Sequence, residues 1–109
     1  MLQQLERLTR PVDGAGPRAS AIAVYADATD RAFPAADLGY EGVACVDDAA
    51  RAIVLMLDLW ESTHLAQVRA WAAALLDFVV YMQEPDGRFV NFIWDWEGRR
   101  NDRGPTSFP

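Results

Sequence analysis

The feature that most limits the possible folds is a pair of consecutive segments, residues 47–61 and 65–83, that are apolar around most of a helical circumference. In the first segment Asp47, Arg51, Asp58 and Glu61 fall within an arc of about 80°, because a helix advances about 100° per residue. The break between the segments, Ser62-Thr63-His64, is long enough only for a tight connection. The pattern therefore predicts an antiparallel hairpin of two helices.

A hairpin with this much apolar surface needs a further layer of structure to cover it. A chain of 109 residues buries roughly 60–70% of the surface of its unfolded state at best. Two alternatives follow: the protein self-associates through its exposed apolar helices, or residues 1–109 are the N-terminal portion of a larger, incomplete helical domain. The second alternative is favoured.

Shorter elements are predicted on the N-terminal side of the hairpin. A leucine at every third position of residues 2–8 predicts a short helix that ends before Pro11. Residues 13–17 and 27–42 contain Gly and Pro and are predicted to be loops. Residues 19–25 fit either a short strand or an irregular segment.

On the C-terminal side, Pro85-Asp86-Gly87 predicts a turn that ends the second helix. Residues 88–97 then follow a period of two, which predicts a strand. Its buried face would comprise Val90, Phe92, Trp94 and Trp96. Asp95 and Glu97 would lie on the opposite face, where a ligand could reach them.

Charge and composition exclude several classes of function. Ten basic and sixteen acidic residues give a net charge of −6, which argues against a nucleic-acid surface. A chain with one cysteine, Cys45, and one histidine, His64, cannot form an internal disulfide and lacks the ligands of the usual Cys- and His-based metal sites. We therefore expect no metal and no cofactor. The apolar stretch 65–82 is interrupted by charged residues, so we expect a cytoplasmic protein that does not enter a membrane.

Two segments resemble a known family. Residues 39–52 read GYEGVACVDDAARA and resemble the Gly-Tyr…Asp-Asp-x-Ala-Arg-Ala stretch of bacterial proteins with a six-hairpin, (α/α)6-toroid carbohydrate-enzyme fold. Residues 81–92 read YMQEPDGRFVNF and are similar to the aromatic-x-Gln-x-Pro-Asp-Gly-Arg-Phe-x-Asn-Phe turn of those proteins. They are often labelled glycosyltransferase or glycosidase-like, and the two matches cover about half of the chain.

The resemblance implies a mainly α fold, in which antiparallel αα-hairpins of an incomplete (α/α)6 toroid precede a short β hairpin or strand. It also implies a carbohydrate-active protein, glycosidase- or glycosyltransferase-like, that acts on or binds a glycan. We expect the 109-residue chain to be inactive by itself. The alternative is a non-catalytic helical interaction module that self-associates through the apolar hairpin.

Eight residues are candidates for a site. Glycoside cleavage needs two carboxyl groups roughly 5–9.5 Å apart, and adjacent helical residues point about 100° apart, so Asp47 and Asp48 do not form such a pair by themselves. Asp48 and Asp95 are the catalytic candidates. The substrate-binding candidates are Tyr40, Glu41, Asp47, Arg51, Trp94 and Glu97, since indole rings stack on sugars and carboxylates accept hydroxyl hydrogens.

Purely structural roles are the alternative for the same residues. Carboxylates in a first turn stabilise a helix, and Arg51 has the spacing to pair with Asp47 and Asp48. Of the two carboxylates, Asp48 is predicted to be the more buried, because it lies closer to the apolar side of the helix. Cys45 is predicted to be a small buried apolar residue rather than a nucleophile.

Overall fold

The computed structural model describes residues 2–23, 42–101 and 106–107. Within these ranges, three helices and six short strands form a compact mixture of α and β structure. In chain order they are α1 (Leu2–Leu8), β1 (Thr9–Pro11), a 3₁₀ turn (Asp13–Ala15), β2 (Ser20–Ile22), β3 (Ala44–Cys45), α2 (Val46–Thr63), α3 (Ala66–Tyr81), β4 (Phe89–Val90), β5 (Phe92–Ile93) and β6 (Thr106–Ser107).

The antiparallel hairpin of α2 and α3 is confirmed, and each helix ends within two residues of its predicted bounds. The connection is tight because His64 adopts a left-handed conformation, with φ of 55°. Its backbone N–H donates to the carbonyl of Trp60 at 2.8 Å, which closes the last turn of α2. The side chain of Thr63 then accepts a hydrogen bond from the N–H of Leu65.

One side of the hairpin forms the core with β2, β3, β4 and β5. Phe78 and Leu75 of α3 are fully buried there, together with Val90 and Ile93 of the C-terminal strands. The short helix α1 packs on the same side, where Leu5 contacts both buried clusters. The opposite side of the hairpin leaves four large apolar side chains at least half exposed: Val54, Leu57, Leu76 and Val80.

The predicted turn at residues 85–87 is confirmed. The N–H of Glu84 donates to the carbonyl of Arg88 at 2.6 Å, and Gly87 takes a positive φ of 92°. The Asp86 carboxylate accepts a hydrogen bond from the backbone N–H of Arg88 and also forms an ion pair with its guanidinium. That guanidinium holds the pKa of Asp86 below its ordinary value.

The continuous strand predicted over residues 88–97 is wrong. Two strands of two residues replace it, and Asn91 separates them because its carbonyl accepts the N–H of Val46 at the start of α2. As a result β4 pairs with β6, whereas β5 pairs with β3, both in antiparallel register. The fully buried residues are Val90 and Ile93, so burial does not alternate along this segment.

The fold class is therefore confirmed only in its coarser form. The described residues hold one long αα-hairpin and small β pairs near the C-terminus, in place of a full toroid of six hairpins. Residues 19–25, for which two interpretations were open, contain strand β2, which pairs with β1. None of the described helices is both long enough and apolar enough to cross a membrane.

Candidate functional site

A cavity of about 370 Å³ lies at the start of α2 and contains two of the predicted site residues, Asp48 and Arg51. Its other walls are aliphatic and come from α1, from the end of β2 and from the next turns of α2. The lining residues are Leu5, Leu8, Ile22, Ala23, Asp48, Arg51, Ala52 and Leu55. We refer to it as the Asp48 cavity.

A close backbone contact fixes where α2 begins. The N–H of Val43 donates to the carbonyl of Ile93 at 2.9 Å, and the pairing of β3 with β5 continues this contact up to Cys45. A Cβ atom at Gly42 would lie 2.2 Å from the same carbonyl oxygen, so only glycine permits the approach. The N–H of Val46 then bonds to Asn91, and the helix leaves the sheet at this point.

The two adjacent carboxylates differ in burial as predicted. Asp48 is half-buried at the edge of the cavity, whereas Asp47 is exposed on the outer side of the helix. The ion pair that the spacing of Arg51 allows is not formed: within the part of the chain that the structure describes, Arg51 makes no salt bridge with either carboxylate. The Asp48 carboxylate and the Arg51 guanidinium therefore line the cavity without an ion pair between them, and the carboxylate also interacts with the thiol of Cys45.

Cys45, the residue before α2, is buried and lies beside Asp48. Burial raises the pKa of the Cys45 thiol from 9.0 to about 11, and the nearby Asp48 and Asp47 carboxylates act in the same direction. The backbone N–H of Asp48 opposes this effect only in part. Cys45 is thus a buried apolar residue, in agreement with the sequence prediction, and it lacks the thiolate character of a nucleophile.

We expect thiol reagents to label Cys45 slowly in the folded protein. At pH 8 a pKa of about 11 instead of 9.0 lowers the thiolate fraction about 100-fold. Iodoacetamide labelling followed by mass spectrometry should therefore be at least about 100-fold slower than for the same protein in urea. Because the folded-state pKa is the higher one, stability should be lost as the pH rises from about 9 towards 11. Equal labelling rates with and without urea would contradict this assignment.

The second predicted cluster, around Asp95, forms a tight turn. The N–H of Trp94 donates to the carbonyl of Arg99 at 2.7 Å, and Gly98 completes the reversal with a φ of 96°. The Asp95 carboxylate accepts the backbone N–H of Arg99 at 3.2 Å and lies 3.5 Å from its guanidinium. Asp95 therefore has a structural role in this turn, which orients its carboxylate towards its own loop.

The backbone of the neighbouring residues in this turn forms hydrogen bonds with the N-terminal part of the chain. The carbonyls of Trp96 and Glu97 accept the N–H groups of Asp13 and Gly14, at 3.0 and 2.8 Å respectively. A Cβ atom at Gly14 would lie 2.3 Å from the Glu97 carbonyl oxygen, so glycine is required here too. The hydroxyl of Tyr81 donates to the carbonyl of Gly98 at 2.6 Å. The Glu97 side chain itself is exposed, and Trp94 is half-buried.

The structure does not bring the two catalytic candidates together. In the antiparallel register Ala44 lies opposite Ile93, so the chain beyond Cys45 runs towards Asn91 while the chain beyond Ile93 runs the other way. Asp48 and Asp95 consequently lie beyond opposite ends of this β pair. The binding candidates Tyr40 and Glu41 lie outside the described residues.

Sequence reasoning missed two features of this region. The amide oxygen of Asn91 is buried and has no hydrogen-bond partner among the described residues, which the period of two did not indicate. The leucines of α1 predicted a helix, but no local signal showed that Leu5 and Leu8 would line a cavity with α2. In the described ranges, no three His, Cys, Asp or Glu side chains are close enough to hold a metal ion.

Comparisons with known proteins add no assignment. No family model matches the sequence, and no curated protein is significantly similar to it. The resemblance to six-hairpin carbohydrate-active proteins therefore stays a prediction.

Proposed function

We propose that this chain is part of a carbohydrate-active protein and binds one unit of a glycan in the Asp48 cavity. The observation that carries the proposal is the composition of the cavity wall: a half-buried carboxylate and a guanidinium, neither of them ion-paired to the other, beside aliphatic side chains. Its volume of about 370 Å³ lies at the lower end of the range of small-molecule sites, about 300–1,000 Å³.

The chemistry of this wall suits a sugar. A carboxylate accepts hydrogen bonds from hydroxyl groups, and a guanidinium donates hydrogen bonds to hydroxyl or ring oxygens. Charge-assisted bonds of this kind are stronger than neutral ones. The aliphatic side chains of Leu5, Leu8 and Leu55 offer apolar surface to the C–H groups of the sugar ring.

For the described residues the proposal is limited to binding. Cleavage or transfer at a glycosidic bond uses a second carboxyl group about 5–9.5 Å from the first. Asp48 is the one carboxylate among the described residues that line the cavity, and the fold directs Asp95 elsewhere. A catalytic role for Asp48 therefore requires a second carboxyl group that the described lining does not contain.

Titration calorimetry with hexoses and their α- and β-linked dimers and trimers tests the proposal. We expect Asp48→Asn and Arg51→Gln each to weaken the best ligand by about 10-fold, the effect of losing one charge-assisted hydrogen bond. Asp58→Asn is the matched control, because Asp58 is an exposed carboxylate of the same helix and does not line the cavity. Asp95→Asn and Glu97→Gln report separately on the other predicted cluster.

Unchanged affinity in both Asp48→Asn and Arg51→Gln would contradict the proposed site. A loss that occurs only in Asp95→Asn or Glu97→Gln would move the sugar to the turn at residues 94–99. If none of the sugars binds at millimolar concentration, the proposed function itself is wrong.

The exposed side of the hairpin favours a second candidate function, a helical interaction module that self-associates. Val54 of α2 is 62% exposed and Val80 of α3 is 60% exposed. Apolar side chains grouped on an exposed surface often mark an interaction site. Sedimentation velocity should then show a dimer that Val54→Ser and Val80→Ser together dissociate. A concentration-independent monomer would exclude this function.

A further inference from the structure

A second, larger cavity of about 610 Å³ lies between α1, β1 and the tight connection of the α2–α3 hairpin. Among the described residues, its lining shares no member with that of the Asp48 cavity and includes none of the predicted site residues that the structure describes. The lining residues are Glu6, Thr9, Leu59, Thr63, Leu65, Gln67, Val68 and Trp71. We refer to it as the Trp71 cavity.

Most of the surface of this cavity is apolar. Leu59, Leu65, Val68 and the indole of Trp71 form the walls, and Leu65 is 47% exposed although it is a large apolar side chain. Small-molecule sites commonly combine about 300–1,000 Å³ of mainly apolar volume with a few polar groups that fix the orientation of the ligand. Both properties are present here.

The hydroxyl groups in the lining are already used within the protein. Thr9 donates its hydroxyl hydrogen to the carbonyl of Leu5 and accepts the indole N–H of Trp71 at 3.2 Å. Thr63 donates to the carbonyl of Leu59 and accepts the N–H of Leu65. Recognition of a polar ligand group therefore falls mainly to Glu6 and Gln67.

Glu6 gives the cavity its charge. Among the described lining residues it is the one that carries a charge, and no described residue donates a hydrogen bond to its carboxylate or forms an ion pair with it. A carboxylate only accepts hydrogen bonds, so the complementary ligand group is a donor that carries positive charge. The Glu6 carboxylate would repel an anionic ligand, because none of the described lining residues carries a positive charge.

We propose that the Trp71 cavity binds a small organic cation, an amine with an aryl or branched alkyl body, with its ammonium group at Glu6 and its apolar body against Trp71, Leu59 and Val68. This site is independent of the glycan proposed for the Asp48 cavity. A neutral sugar fits less well, because the walls offer mainly apolar surface and the threonine hydroxyls are engaged.

Three probes of similar shape test whether the cavity prefers a positively charged ligand. They are 3-phenylpropylammonium, which is a cation, 3-phenylpropanol, which is neutral, and 3-phenylpropionate, which is an anion. Binding is followed by the NMR signal of the Trp71 indole N–H, assigned through Trp71→Phe. We expect a saturable shift with the ammonium probe, an affinity at least about 5-fold higher than for the carboxylate, and weaker binding at high salt. Glu6→Gln should lower the affinity for the ammonium probe by about 3- to 5-fold and leave the neutral probe unchanged.

Glu61→Gln is the matched control, since Glu61 is an exposed helical carboxylate outside the cavity and should have no effect. Equal affinity for the ammonium and carboxylate probes, or an equal effect of both glutamate variants, would overturn the proposal. So would the absence of a saturable shift with all three probes. A cellobiose arm completes the test: a Trp71 shift with cellobiose and none with the ammonium probe would replace the cation by a sugar.

Discussion

Gly42→Ala should lower the free energy of unfolding by about 3 kcal/mol, close to the upper limit for inserting one methyl group into a tightly packed site. The added Cβ atom would lie 2.2 Å from the carbonyl oxygen of Ile93 and 2.9 Å from the Cβ atom of Phe92. Neither atom is the far end of a flexible side chain, so β3 and β5 would have to move apart. Urea denaturation followed by circular dichroism measures the effect.

Gly16→Ala is the control for a methyl group that is added without a steric contact. Gly16 has a positive φ of 130°, but a Cβ atom there would meet nothing within 4 Å. We expect a cost of only about 1 kcal/mol from the strained conformation. Gly42 itself has no positive φ, so a loss at Gly42 no larger than the loss at Gly16 would contradict a steric cost from the close approach to Ile93.

Phe78→Ala should have a similar or larger effect, a loss of about 4 kcal/mol. Phe78 is fully buried in the main core, and its removal would leave a large cavity between α3 and the strands around it. Val80→Ala, two residues further along α3, is the control. Val80 is 60% exposed, so its truncation should change stability by no more than about 0.5 kcal/mol.

Thermal unfolding by calorimetry suits this pair of variants. A loss of about 4 kcal/mol is a large part of the 5–15 kcal/mol that typical domains possess, so Phe78→Ala is expected to unfold at a much lower temperature. A small shift for Phe78→Ala, equal to that for Val80→Ala, would show that α3 does not pack on the strands as described.

The helices could be predicted from the sequence because their signal is local. The period of apolar residues, the short break at Ser62-Thr63-His64 and the turn at residues 85–87 each depend on neighbours in the chain. The ends of α2 and α3 lie within two residues of the prediction, which is the usual uncertainty of helix termini. The burial of Asp48 relative to Asp47 followed from the same period.

The strands could not be predicted because their partners are distant in the sequence. A period of two over residues 88–97 is compatible with one strand, but the carbonyl of Asn91 bonds to Val46 and divides the segment. Pairing with β3 and β6 depends on contacts that no local pattern encodes. The alternation therefore identified extended backbone correctly at β4 and β5 and the burial of Val90, but it did not identify Ile93 as the other fully buried side chain.

The candidate site was predictable for one cluster and not for the other. Asp48 and Arg51 are one helical turn apart, so their common position at the cavity follows from helical geometry. Asp95 was assigned to a strand, although an aspartate three residues before Gly98 also fits a turn. Only the hydrogen bond from Arg99 decides between these interpretations, since it engages the carboxylate within its own loop.

The docking of Gly14 on Glu97 has a consequence for the order in which the protein folds. The N–H groups of Asp13 and Gly14 are made early in synthesis, whereas their acceptors at Trp96 and Glu97 leave the ribosome more than eighty residues later. Contacts of such long sequence separation form slowly, because the intervening chain must first lose conformational entropy. The α2–α3 hairpin can form on a nascent chain that lacks this turn. We therefore expect closure of residues 12–14 onto residues 96–98 to be a late step, and Val12 to stay exposed to water until it occurs.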